Sequence, residues 1–216
     1  MKIGIEINTV IRDINSQMLK YYIKDIDKHF DDSLIDLNKI SIIDDLKFPS
    51  KKAKEDFLYV DYPFEIFGCA NTSHRNISPM FNKWMDDLEN ERVKYDVSLF
   101  SLKENALTIQ SSFHFLSKIG SRVRSVFFPK DGKNMWENFD IIITTNERIV
   151  KNKPDGKVVI LIQTSDNKHL FRKSDFVYAS FYDFLLDKSC LKLAKKRIKK
   201  VSWFGKIKNV FRNLTV

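Results

Sequence analysis

The chain has 216 residues, of which 43% are hydrophobic and 30% are charged, and its formal net charge is +9. This length and composition predict one globular domain of ordinary size with a full core. No run of about 18 apolar residues occurs and a strand is predicted at the very start, so we expect neither a transmembrane helix nor a signal peptide. Cys69 and Cys190 lack metal-ligand spacing, which favours synthesis in a reducing cytoplasm.

The first predicted element is an isoleucine-rich apolar stretch over residues 2–11. A short apolar run bounded by turn-type residues is typical of a buried strand in a parallel sheet. Glu6 and Asn8 interrupt this run, and the alternation of a strand places them on the same side. They stand at the end that faces the ligand crevice in open α/β sheets. The stretch therefore predicts a site, or the remnant of one.

Helical and loop patterns follow this strand. Residues 13–29 and 76–90 have apolar side chains at helical spacing, which predicts two helices. The acidic stretch between them, residues 30–60, lacks the spacing of a calcium-binding loop and predicts exposed loops and short helices.

Strands and helices alternate in the second half of the chain. The predicted strands cover residues 95–101, 123–128, 139–146 and 158–162, and a helix is predicted over 103–119. This order favours an α/β protein with a parallel sheet. Polar residues close two of these strands, namely Ser101 in one and Thr144 and Thr145 in the other.

The sequence Glu6-Ile7-Asn8-Thr9-Val10 after a hydrophobic strand resembles the first motif of the haloacid-dehalogenase-like (HAD) hydrolases, D-x-D-x-[TV]. It looks closest to the deoxyribonucleotidase branch and its phage-encoded relatives. The resemblance covers about residues 1–165 and rests on the order and spacing of several strand ends together. It implies a HAD-like, Rossmann-like sheet with a small helical cap, here residues 13–92, inserted after the first strand.

The same resemblance assigns roles to the other strand ends. Ser101 stands where the family has a Ser or Thr that binds phosphate. Lys133 is our choice for the lysine of the third motif, with Lys130 as an alternative, although either could be an ordinary lysine of a surface turn. Thr144 and Thr145 stand where the family has acids that hold magnesium.

The departures from the family pattern fall on the residues that carry its chemistry. Glu6 replaces the attacking Asp and is one methylene longer, and a displacement of about 1 Å costs around 10²-fold. Asn8 replaces the general acid/base, whose loss typically costs about 10²–10⁴-fold. Thr144 and Thr145 are poor magnesium ligands. We therefore predict a pseudoenzyme without a metal or cofactor; Mg²⁺ enters only if the chain is an active phosphatase of the 5′-deoxyribonucleotidase type.

Other catalytic chemistries lack support in the sequence. The four histidines, His29, His74, His114 and His169, show no metal-ligand spacing. There is no G-x-G-x-x-G motif and no phosphate-binding loop.

The whole charge excess lies at the C-terminus. Residues 186–216 contain ten Lys or Arg and one acid, which leaves 27 basic and 27 acidic residues in 1–185. We therefore divide the chain into a HAD-like domain, 1–185, and a basic amphipathic helical extension, 186–216. The expected interface residues are Trp203, Phe204, Ile207 and Phe211, and the basic patch is Lys195, Lys196, Arg197, Lys199 and Lys200.

A basic amphipathic extension has several interpretations. It can bind a protein partner, face nucleic acid, lie on a membrane surface, or pack on its own domain. We favour docking on a neighbouring subunit, because so much apolar surface is rarely left bare. The overall hypothesis is a structural or assembly protein, a homo-oligomer made in the cytoplasm and incorporated into a phage virion. The alternatives are an active phosphatase and a nucleic-acid-binding accessory protein.

Overall fold

The structure is a computed structural model that describes residues 1–132 and 134–199. Its centre is a six-stranded, wholly parallel sheet in the order β3-β2-β1-β4-β5-β6. The strands are β1 (Lys2–Glu6), β2 (Asp96–Phe100), β3 (Ser125–Phe127), β4 (Ile141–Thr144), β5 (Val158–Ile162) and β6 (Phe176–Tyr178). This is the strand order of the Rossmann fold, and the predicted α/β class with a parallel sheet is confirmed. The sixth strand was not predicted.

Both faces of the sheet are covered, as expected for parallel strands whose residues are apolar throughout. Ile3 and Ile5 of β1 point into the larger core, whereas Ile142 of β4 belongs to a second core on the other face. Gly4 lies between Ile3 and Ile5, and a Cβ atom there would come within 2.9 Å of the Phe139 ring. A glycine is therefore required for Phe139 to pack against β1.

The helices form the two outer layers. They are α1 (Ile14–Asp25), α2 (Lys51–Asp56), α3 (Ile77–Glu89), α4 (Ala106–Lys118), α5 (Met135–Asn138), α6 (Glu147–Lys151) and α7 (Phe181–Leu186), with a further helix, α8, described over 190–199. Short 3₁₀ helices cover Asp32–Leu34 and Lys168–Lys173, and π-helical turns cover Phe57–Asp61 and Phe64–Gly68. Buried residues of α3, α4, α7 and α8 join the larger core, and those of α5 and α6 join the second.

Residues 13–72 form an insertion after β1. Its base is a two-residue antiparallel ladder in which Arg12–Asp13 pairs with Asn71–Thr72. The insertion has its own core, which includes Met18, Tyr22 and Phe57. The helix α3, which lies within the predicted cap range 13–92, instead packs on the sheet through Phe81 and Trp84. The part of the chain that packs separately from the sheet is thus shorter than 13–92.

The predicted C-terminal extension begins within the domain. Cys190, Leu191 and Ala194 of α8 are buried in the larger core, and Ile198 packs against it. In the described part of the basic patch, Lys196, Arg197 and Lys199 are exposed and Lys195 is half-buried. The remaining predicted residues, Lys133, Lys200, Trp203, Phe204, Ile207 and Phe211, lie outside the described residues. Across 1–132 and 134–199, no helix is long and apolar enough to cross a membrane.

Candidate functional site

The carboxyl ends of β1 and β4 define the candidate site. These neighbouring strands are where the strand order reverses direction, and in open α/β sheets ligands bind in the crevice at such a point. The structure brings five of the predicted positions together there, at the ends of β1, β2 and β4. They are Glu6, Asn8, Ser101, Thr144 and Thr145.

Glu6 is held by the end of β4. Its side chain is buried, and its Oε2 atom accepts hydrogen bonds from the Thr144 hydroxyl and, at 3.1 Å, from the Thr145 backbone N–H. Burial raises the pKa of Glu6 to about 7, because desolvation disfavours the charged form more strongly than these hydrogen bonds favour it. The two threonines therefore act as fixed donors to the carboxyl group of Glu6.

Asn8 is engaged through both ends of its amide. Its Nδ2 donates to Ser101 Oγ at 3.0 Å, and its Oδ1 accepts from Arg12 Nε at 2.9 Å. The next residue, Thr9, has φ +63°, which is unusual for a β-branched side chain. Its hydroxyl lies 2.7 Å from that of Thr145 and donates to the Asn8 carbonyl at 2.6 Å. The chain after β1 is thus tied to β2 and β4 by side chains.

Arg12, which the sequence did not single out, organises the rest of the site. Its side chain is fully buried, and Nη2 pairs with Glu104 Oε1 at 2.9 Å. Nη1 donates to Ser112 Oγ at 2.7 Å and to the Phe67 carbonyl at 2.9 Å. We call Asn8, Arg12, Glu104, Ser112 and the Phe67 carbonyl the Arg12 network. It joins the end of β1, the insertion and α4.

The electrostatics of the Arg12 network favour an ionised arginine. Burial lowers the pKa of Arg12 to about 10, and the charge of Glu104 opposes that change. The guanidinium also lies 5.2 Å from the Phe67 ring centroid and 5.3 Å from that of Phe115, within the range of cation–π attraction. The sequence hint was Arg12, which stands next to Asp13 between apolar residues, but nothing indicated its partner 92 residues away.

A comparison with protein-family models and with curated proteins found no match to this chain.

The residues at the site do not fit a magnesium centre. Mg²⁺ prefers carboxylates and water in a near-octahedral shell. Glu6 is the one carboxylate among the five predicted positions, and its Oε2 already accepts hydrogen bonds from Thr144 and Thr145. In the described ranges, no group of three or more His, Cys, Asp or Glu side chains could hold a metal ion.

Of the two lysines proposed for the third motif, the structure describes Lys130. Lys130 is exposed and lines a separate pocket of about 300 Å³ together with Leu102, Asn146 and Arg148. Lys133 falls in the gap between the described ranges.

The insertion contacts the sheet edge at a second place, on the far side of Thr9. The Ser165 N–H donates to the Asn38 carbonyl at 2.7 Å, and the Ile40 N–H donates to Asp166 at 3.2 Å. A cleft of about 390 Å³ with both polar and apolar lining lies between these contacts and Thr9. The insertion is therefore fastened to the sheet on both sides of the crevice, by the Arg12 network and by Asn38 and Ile40.

Proposed function

We propose that this chain is a catalytically inactive HAD-like protein that serves a structural role in a homo-oligomeric assembly. The observation that carries the proposal is that the side chains at the strand ends are hydrogen-bonded to one another. Glu6 accepts from Thr144 and Thr145, and Asn8 bridges Ser101 and Arg12. Such mutual satisfaction is typical of a structural polar network.

The reaction implied by the resemblance needs an ionised nucleophile, a proton donor and a metal. Burial raises the pKa of Glu6 to about 7, so the ionised form that a nucleophile needs is disfavoured relative to an ordinary carboxylate. Asn8 has no proton to transfer, and its amide is already occupied at both ends. Misplacement and loss of the acid/base together predict a rate lower by roughly 10⁴-fold or more.

The threonines are suited to a structural role. A carboxylate at position 144 would face the Glu6 carboxyl at hydrogen-bond distance in a buried site, where like charges repel strongly. Thr144 replaces that repulsion with a donated hydrogen bond. The fastening of the insertion to both sides of the crevice further favours a rigid body over a cap that opens for substrate.

The assembly part of the proposal rests on the C-terminal residues. The chain from 200 to 216 carries four basic and no acidic side chains together with Trp203, Phe204, Ile207 and Phe211. Aromatic residues are enriched at the anchors of protein interfaces. The resemblance to phage-encoded proteins makes a virion the assembly that we propose, and DNA binding through the lysines is the competing proposal.

Two measurements test the proposed function. Phosphate release from deoxynucleoside monophosphates with Mg²⁺ should stay at background, and sedimentation of the purified full chain should give an oligomer that Trp203→Ala with Phe204→Ala dissociates. Turnover at about 1 s⁻¹, an ordinary enzyme rate, would refute inactivity. A monomer unaffected by the aromatic changes would refute the oligomer.

A further inference from the structure

An exposed apolar patch lies at the seam between the insertion and α4. The exposed fractions are 61% for Val60, 45% for Phe64 and 47% for Leu107. Asn105 Nδ2 donates to the Tyr59 carbonyl at 3.3 Å, and the Phe64 ring lies 4.7 Å from that of His114. Leu107 and His114 are seven residues apart on α4 and share one face of that helix, which places Leu107 and Phe64 along one line.

Acidic side chains border this line, and we call the whole the seam patch. Its acids are Glu55, Asp56, Asp61 and Glu65, and its apolar residues are Tyr59, Val60, Phe64 and Leu107. A pocket of about 390 Å³ at one end is lined by Glu55, Asp56, Tyr59, Val60, Lys103 and Asn105. Two lysines stand near these acids: Lys103 lines the same pocket, and Lys51 Nζ lies 3.8 Å from Glu55 Oε1.

The tyrosines at and beside the seam patch have raised pKa values, chiefly because of burial. Burial raises the pKa of Tyr59, and the charges of Glu104 and Glu55 raise it further. Burial also raises the pKa of the neighbouring Tyr62, with added contributions from Asp25, Asp61 and Glu65. The insertion as a whole, residues 13–72, has twelve acidic and eight basic residues. An apolar line with an acidic border suits a basic segment with apolar side chains.

The described chain ends at the opposite edge of the sheet from the seam patch. The helix α8 starts beside the carboxyl end of β6, where the Tyr178 hydroxyl donates to Asp187 at 2.6 Å. It finishes at the amino end of β6, where Arg197 pairs with Asp175 at 3.0 Å. One end of the seam patch, in contrast, adjoins Asn105, which follows the carboxyl end of β2. A five-residue strand separates these edges by about 17 Å.

We propose that the seam patch is the docking site for residues 200–216 of a second copy of this chain. We choose this occupant because of its positive charge and because of the place where the described chain ends. The 17 residues after Lys199 carry four positive charges against the net four negative charges of the insertion. The described chain ends at Lys199, at the edge away from the Asn105 end of its own seam patch, and we therefore assign the segment to the patch of a neighbouring copy. This inference rests on the proposed assembly function and deepens it.

Such a contact joins two different surfaces, so it is heterologous. A heterologous contact repeats from copy to copy and produces a closed ring or a filament. A chain with a damaged seam patch keeps its own C-terminal segment, and a chain with a damaged segment keeps its seam patch. When the two defective chains are mixed, the intact segment of one should bind the intact seam patch of the other. No further contact can form, so the product should be a dimer.

A mixing experiment with the full chain tests this arrangement. The patch variant is Val60→Asp, and the segment variant is Trp203→Ala with Phe204→Ala. Each alone should sediment as a monomer, with the dissociation constant of the oligomer raised at least ten-fold, and their mixture should give a 1:1 dimer and nothing larger. Leu34→Asp, at an insertion residue that is 77% exposed, is the matched control and should leave the oligomer intact.

Charge reversal supplies a second arm that does not depend on the apolar substitution. Glu55→Lys with Asp61→Lys should weaken the oligomer, whereas Asp87→Lys with Glu89→Lys, on α3, should not. An oligomer that needs Trp203 and Phe204 but tolerates both patch changes overturns this inference and leaves the proposed function standing. A wild-type monomer at every concentration overturns both.

Discussion

Arg12 and Glu104 form an ion pair at 2.9 Å in which the two side chains are 0% and 1% exposed. Removing one partner of such a pair leaves a buried charge without compensation, which typically costs about 3–5 kcal/mol. Arg12 also holds the Phe67 carbonyl of the insertion and Ser112 of α4. The pair is therefore central to the attachment of the insertion.

We predict that Arg12→Met lowers the free energy of unfolding by about 3–5 kcal/mol, measured by urea denaturation. Arg122→Met, which breaks the exposed pair with Asp86, is the control and should cost at most about 1 kcal/mol. In a double-mutant cycle, the double variant Arg12→Met with Glu104→Leu should lose less stability than the sum of the two single variants, because it leaves no unpaired charge. Equal costs for Arg12→Met and Arg122→Met would contradict a buried, coupled pair.

The raised pKa of Glu6 predicts a pH dependence of stability. Between pH 4.5 and about 7 the folded state holds a proton that the unfolded state has released, so stability falls as pH rises through this window. A shift of this size corresponds to roughly 3 kcal/mol. Urea denaturation at pH 5 and pH 7.5 should show this loss in the wild type, and Glu6→Gln should reduce it.

The control for this pH effect is Glu89→Gln, at an exposed residue of α3. Its stability should change with pH in parallel with the wild type. If the wild type and Glu6→Gln differ in their free energy of unfolding by the same amount at both pH values, Glu6 does not titrate in this window.

Restoring the three acids of the family pattern should not restore activity. In Glu6→Asp with Asn8→Asp and Thr144→Asp, the new carboxylate at position 8 would lie within hydrogen-bond distance of Arg12. That ion pair would stabilise the charged form and keep the group from donating a proton. Phosphate release with Mg²⁺ should remain at the wild-type background. Turnover of the triple variant at about 1 s⁻¹ would show that the Arg12 network does not block the chemistry.

The packing of α8 predicts where the chain can be shortened. A chain ending at Lys199 retains Cys190, Leu191 and Ala194, and it should unfold cooperatively with nearly wild-type stability. A chain ending at Leu185 loses these buried side chains, a loss of about 3–5 kcal/mol by apolar burial. Thermal unfolding followed by circular dichroism distinguishes them. Equal midpoints for both would mean that α8 contributes nothing to the core.

The sequence predicts the sheet well where strands are apolar throughout. The strands β1, β4 and β5 are buried along their whole length or nearly so, and each was visible as an apolar run. The edge strand β6 has three half-buried residues and no such run, so its short pattern is indistinguishable from a loop. The apolar spacing of α3 predicted a helix but could not tell which core it faces.

The candidate site divides in the same way. Glu6 and Asn8 were predicted at the crevice end of the first strand, and the family resemblance pointed to Ser101 at the end of another strand. The partnership of Arg12 with Glu104 depends on how the insertion and α4 pack, which no local pattern encodes. The Arg12–Glu104 pair was therefore not predicted, although the strand-end residues near it were.

The ladder between Arg12–Asp13 and Asn71–Thr72 means that the insertion leaves and re-enters the domain at adjacent points. Paired strands lie about 5 Å apart. The domain must therefore accommodate two chain ends at that distance, whatever the number of residues in the insertion between them. The closure entropy of a loop grows only with the logarithm of its length. Lineages could thus lengthen, shorten or exchange the seam-patch surface while β1 and its neighbours stay unchanged.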